Sequence, residues 1–146
     1  MNMTKADRAV SLFRQGFSCS QAVAAAFAAD YGLDEEAALR LSQGFGGGIA
    51  RSADWCGALT GAVLIIGLKH GRTRAEDTAA RDRTYALVQE LIARFTAQHA
   101  HVKCRDLLGC DLSTPEGQKT VDALKLHQTK CEDLVRDAAA ILEAIL

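Results

Sequence analysis

Helix-start signals punctuate this chain, and four of its five cysteines fall on them. Ser18-Cys19-Ser20-Gln21 has the form of a capping box, a serine followed three positions later by glutamine, ahead of an Ala-rich run to Ala29. Cys56 falls at the start of a helix that Asp54 or a near neighbour caps and that runs to about Lys69. Cys104 opens a short helical turn closed by Gly109, and Thr129-Lys130-Cys131-Glu132 repeats the capping-box pattern before Leu134 to Leu146. Such starts confine the chain to helices joined by tight turns. They also place thiols beside unpaired N–H groups and the positive end of a macrodipole, which favour thiolate.

The remaining segments read the same way. Thr4 caps a helix carrying Ala6, Val10, Leu12 and Phe13, which Gly16 ends, and Asp34-Glu35-Glu36 opens another through Leu39 and Leu41 to about Gln43. Glu76 to about His99 predicts the longest helix, with Leu87, Leu91, Ile92 and Phe95 as its apolar stripe. Thr114-Pro115-Glu116 is a further start, with proline at the first helical position. With 49% apolar residues, 5% aromatics and one proline in 146 residues, the composition is that of a helical protein. The expected fold is an all-α, single-domain helical bundle over residues 1–146, with about five or six helices.

Charge and hydropathy narrow the classes of partner. A formal net charge of −1 leaves no electrostatic footprint for nucleic acid or an anionic membrane. The longest apolar stretch, Trp55 to Leu68, is shorter than the roughly 20 residues of a spanning helix, so no membrane span is expected. Met1 to Arg8 is polar and lacks a signal-peptide core, which predicts a cytoplasmic location where structural disulfides are disfavoured. An apolar helix face left exposed would make the chain a homodimer.

The cysteines carry the chemistry. Lys103, Arg105 and Lys130 flank Cys104 and Cys131, an electropositive setting that favours thiolate at neutral pH. No pair is Cys-x-x-Cys, so neither a zinc ribbon nor a thioredoxin-type motif is present locally, and any shared site must be assembled by the fold. Cys110 lies outside the helix-start pattern and reads as a small buried hydrophobe. His70 and His99 sit at helix C-termini, where dipole capping explains them better than metal ligation; His99 and His101 near Cys104 are a weak metal signal. Gly44-Phe45-Gly46-Gly47-Gly48 lacks the Lys-Ser/Thr ending of a P-loop. Gly46, Gly47, Gly48 and Gly57 instead suggest backbone closing over Cys56 with N–H groups aimed at sulfur. Gly57, Ala58 and Gly61 would permit close helix approach.

Gly46-Gly47-Gly48 followed by Cys56-Gly57-Ala58-Leu59-Thr60-Gly61 resembles the signature of the C_GCAxxG_C_C family of redox-active proteins. Phe17-Ser18-Cys19-Ser20-Gln21-Ala22-Val23, the Cys104 to Gly109 element and the late Cys131 match its wider layout, over nearly the whole chain. The resemblance implies a small helical protein, often encoded near transporters, whose four family cysteines are suspected of redox work on no assigned substrate. It leaves Cys110 without a place. A similar domain in split-Soret cytochromes is associated with an iron–sulfur centre.

Three functions follow as expectations. In the first, Cys19, Cys56, Cys104 and Cys131 hold a metal, either a [2Fe–2S] iron–sulfur cluster for electron transfer or sensing, or a structural zinc. In the second, the same four act without metal in thiol–disulfide exchange with a redox partner, Cys56 or Cys19 attacking. In the third, the thiols are filler and the helical faces bind a partner such as a transporter-associated protein.

Overall fold

The computed structural model describes residues 3–146; Met1 and Asn2, the first of the polar N-terminal stretch, lie outside the described residues. The described chain is all-helical, with eight helices: α1 Lys5–Arg14, α2 Cys19–Ala28, α3 Glu35–Ser42, α4 Gly57–His70, α5 Thr78–His99, α6 Cys104–Leu108, α7 Pro115–Ala123 and α8 Glu132–Ile145. The count exceeds the expected five or six because α6 and α7, bounded by Gly109 and by the Thr114 cap, are separate short helices. No helix among the described residues is long and apolar enough to cross a membrane.

The central element is α2. Every residue from Ser20 to Ala28 is buried, and alanine at five of those positions lets α1, α3, α4 and α8 pack around it. The closest approach is to α4, where a Cβ on Gly61 would lie 2.6 Å from the Ser20 carbonyl oxygen. The expected stripe of α5 enters the same core through Leu91 and Phe95, both fully buried, with Leu87 half-buried beside them. A second, smaller cluster gathers Ala53, Cys104, Leu108, Leu112, Val121 and Cys131.

Local capping chemistry accounts for most of the helix starts. Thr4 accepts from the Asp7 N–H at 3.0 Å while the Asp7 carboxylate accepts from the Thr4 N–H at 3.3 Å, and Ser18 and Gln21 make the same reciprocal pair ahead of Cys19. Asp34, Asp77 and Thr114 cap α3, α5 and α7.

Of Asp54 and its near neighbours, Cys56 occupies the N-cap position of α4. One expected start is corrected, because Thr129 does not cap α8. Its hydroxyl turns back to donate to the Lys125 carbonyl at 3.1 Å, and His127–Cys131 forms a π-helical turn running straight into α8. The Cys131 N–H donates to the Leu126 carbonyl at 2.9 Å, so Cys131 lies inside a continuous helix.

Candidate redox site

Three junctions bring the family-type cysteines together. The first is the contact between α2 and α4. Gly57 follows Cys56, and a Cβ there would overlap the Cys19 sulfur, so its glycine leaves that sulfur room against α4. The second is a short extended pairing of residues 54–56 with 102–104. Trp55 and Lys103 form an antiparallel bridge, the Cys56 N–H donates to the Val102 carbonyl at 2.8 Å, and the Cys104 N–H donates to the Asp54 carbonyl at 2.6 Å. The third is the small apolar cluster that holds Cys104 with Cys131.

The four sulfurs share one electrostatic neighbourhood. Burial pushes Cys19 above the ordinary thiol value; the N–H groups of Gly47, Ser20, Cys19 itself and Gly57 act against that shift. Burial, then the Cys19 charge, pushes Cys56 well above it, with the amides of Ala58 and Leu59 opposing and Cys104 adding to the rise. Cys104 is pushed up to about 12 by burial, Cys19 and Asp111. Cys131 is raised by burial, then by Cys19 and Cys104, with Lys130 opposing. Cys19 raises the pKa of each of the other three, as neighbouring like charges do.

The expected thiolates are thereby corrected: in the metal-free chain, desolvation outweighs helix starts and flanking cations, and these thiols are protonated at neutral pH. Arg105 is turned aside, its Nε donating to the Ala53 carbonyl at 3.0 Å. The sign of the pH dependence follows. Between the unfolded thiol value near 9.0 and the folded value of about 12 for Cys104, the unfolded chain binds fewer protons, so stability falls as pH rises. The reduced, metal-free protein is expected to hold its full denaturation midpoint below about pH 9 and to lose it steadily above. Urea titrations on either side of that pH check this.

The glycine loop also lies differently from expectation. Its N–H contribution goes to Cys19 through Gly47, with Gly57 from α4, while Cys56 is served by its own helix. Gly46 packs against Ser18, where a Cβ would sit 2.9 Å from the serine Cβ, and Gly48 is buried against the Asp54 backbone. Past these glycines the chain stays left-handed through Ile49, Ala50 and Arg51, at φ of 68°, 51° and 63°, and again at Ala53. Each such side-chain-bearing residue costs about 1–2 kcal/mol over its right-handed form. Sequence reasoning missed this turn, the Trp55–Lys103 bridge and the π turn, and none has a local composition signal.

Cys110 is half-buried against the cluster that holds Cys104 and Cys131. The histidines stand apart from the thiols in their bonding. His70 accepts from Arg83 Nε at 3.2 Å, and its pKa is lowered by burial, Arg83 and Lys69. His99 Nε2 pairs with Asp137 Oδ2 at 2.9 Å, and His101 is exposed. His70 and His99 both stand in the last turns of their helices, α4 and α5, as expected. Among the described residues no group of three or more His, Cys, Asp or Glu side chains is gathered tightly enough to hold a metal ion.

An all-α chain that brings three buried thiols and the half-buried Cys19 together from separate segments defines a class of small helical thiol protein. The family model described as "Putative redox-active protein (C_GCAxxG_C_C)" matches residues 17–145, and the chain belongs to that family. No curated protein and no solved structure matches it.

Proposed function

We propose that Cys19, Cys56, Cys104 and Cys131 form a four-thiolate iron–sulfur site that carries or senses single electrons. The observation that carries this reading is the convergence of the four segments: Gly57 beside Cys56 packs on the Cys19 sulfur, residues 54–56 pair with 102–104, and Cys104 shares one apolar cluster with Cys131. Disulfide chemistry needs thiols only in pairs, whereas four match the ligand set of a [2Fe–2S] cluster. A single tetrahedral zinc would hold its sulfurs about 3.8 Å apart, from Zn–S bonds of about 2.3 Å.

The surrounding backbone fits such a group. Amides of Gly47, Ser20 and Gly57 at Cys19, and of Ala58 and Leu59 at Cys56, stabilise negative charge on sulfur. Hydrogen bonds to ligand sulfurs are among the features that set a cluster's potential. Apolar walls from Leu108, Leu112 and Val121 restrict water around Cys104 and Cys131. When bound, the cluster would supply one-electron chemistry at iron. The chain's own part is to surrender four thiol protons on loading and to keep the sulfurs shielded, with an electron partner meeting it in a reducing cytoplasm.

Anaerobic reconstitution with ferrous iron and sulfide tests this. The expected result is visible sulfur-to-iron absorption that bleaches on dithionite reduction. Colourless protein after reconstitution would sink the proposal.

A second reading has its own observation. The Cys19 sulfur packs against Gly57, the residue that follows Cys56, so a Cys19–Cys56 disulfide, formed by the minor thiolate fraction of either residue, is the expected product of oxidation when metal is absent.

A further inference from the structure

Helices α3 and α4 pack on α2 rather than closely on each other, and a cavity of about 220 Å³ opens between them. The buried residues Ala24, Ala38 and Ile65 lie deepest in it, and Leu41 and Leu68 stand at its rim, 60% and 38% exposed. Every side chain that lines it is apolar. Alanine at positions 24 and 38 leaves the space, since a leucine at either would project into it. The charged neighbours of the two rim leucines are engaged elsewhere. Arg40 pairs with Glu36 at 3.4 Å. Lys69 Nζ donates to the Leu146 carbonyl at 3.0 Å and lies 5.3 Å from the centroid of the Tyr31 ring. None of the lining residues is a cysteine or adjoins one in sequence, so what the four thiols hold does not bear on this cavity.

We propose that this cavity binds a small uncharged apolar molecule, aromatic or branched aliphatic, of about six to ten carbon atoms. Size sets the scale, because an apolar cavity of about 150 Å³ takes benzene. A partner helix, about 10 Å across with its side chains, does not enter a space of this volume. Polarity sets the class. The lining side chains offer water no hydrogen-bond partner, and a carboxylate or ammonium placed among them would lose its hydration with nothing to replace it. With Arg40 and Lys69 already engaged, the rim holds no cation for the head of a fatty acid either. Binding also covers Leu41 and Leu68, and removing their apolar surface from water drives it.

The test is thermal unfolding of the full chain with toluene and, at the same concentration, with benzoate, which has a similar shape but carries a charge. Toluene near its saturation in water is expected to raise the melting temperature by roughly 3 °C or more, and benzoate to leave it unchanged. Ala38→Leu, which fills the cavity, should lose most of the toluene shift. Leu41→Gln, at an exposed position the fold tolerates, should weaken toluene binding about threefold or more in a titration followed by NMR. A melting temperature that toluene does not raise overturns the proposal, as does an equal shift with benzoate. Toluene binding undiminished in both variants would place it elsewhere on the chain and overturn the proposal as well.

Discussion

Gly61→Ala is expected to be among the most destabilising single-methyl changes in this protein. Its Cβ would lie 2.6 Å from the Ser20 carbonyl oxygen and 3.2 Å from the Ser20 Cα, so backbone rather than a flexible side chain must move. Ser20 itself cannot yield cheaply. It is fully buried, and its hydroxyl donates to the Ser42 carbonyl at 2.8 Å, which ties α2 to the end of α3. Overpacking of this kind costs about 1–3 kcal/mol. For a chain of this size that lowers the melting temperature by roughly 3–10 °C. Since α2 and α4 carry Cys19 and the cap residue Cys56, the same shift spreads the two thiols. Thermal unfolding of Gly61→Ala beside Gly67→Ala checks the argument, because a Cβ on Gly67 meets nothing within 4 Å. Equal melting of the two variants would contradict the close α2–α4 contact.

The second large effect is expected at Cys19. Its sulfur sits at the α2–α4 contact, where a Cβ on Gly57 would overlap it, and its charge would raise the pKa of the other three family cysteines. Replacing it with serine removes a soft ligand. Iron retained after reconstitution and desalting should fall at least tenfold, a loss no smaller than removal of an outer-shell partner produces. Cys110→Ser should retain the parental amount, since Cys110 packs at the edge of the small cluster and lies outside the coupled set. Elemental analysis of the two variants distinguishes a cysteine-specific site from iron held loosely by any exposed thiol. Equal retention would remove Cys19 from the site.

Much of the fold was legible because its signals are local. Thr4, Ser18, Asp34 and Thr114 announce helix starts through side-chain hydrogen bonds to their own next turn, and all four make those bonds. The same logic misled at Thr129, where tertiary packing of Cys131 beside Cys104 favours a π turn continuous with α8, and the hydroxyl bonds backward. The order of the four cysteines was legible, but the state of their protons was not. A helix-start thiol reads as acidic only while water or cations reach it, and burial at Cys56 and Cys104 reverses the sign. The glycines signalled an unusual loop, and the structure moves their N–H contribution from Cys56 to Cys19. Ile49, Ala50 and Arg51 gave no sign of left-handed backbone, because it goes with main-chain bonds back to Gly44 and Gly46 that any residue type could make.

A single cluster site made by the four family cysteines is the proposal from which the iron predictions follow. The most direct measurement is the iron and acid-labile sulfide bound per chain after anaerobic reconstitution and desalting. About two of each, lost together when Cys19, Cys56, Cys104 and Cys131 are all changed to serine, is the predicted result. Iron and sulfide no higher in the parent than in that four-serine chain would contradict it.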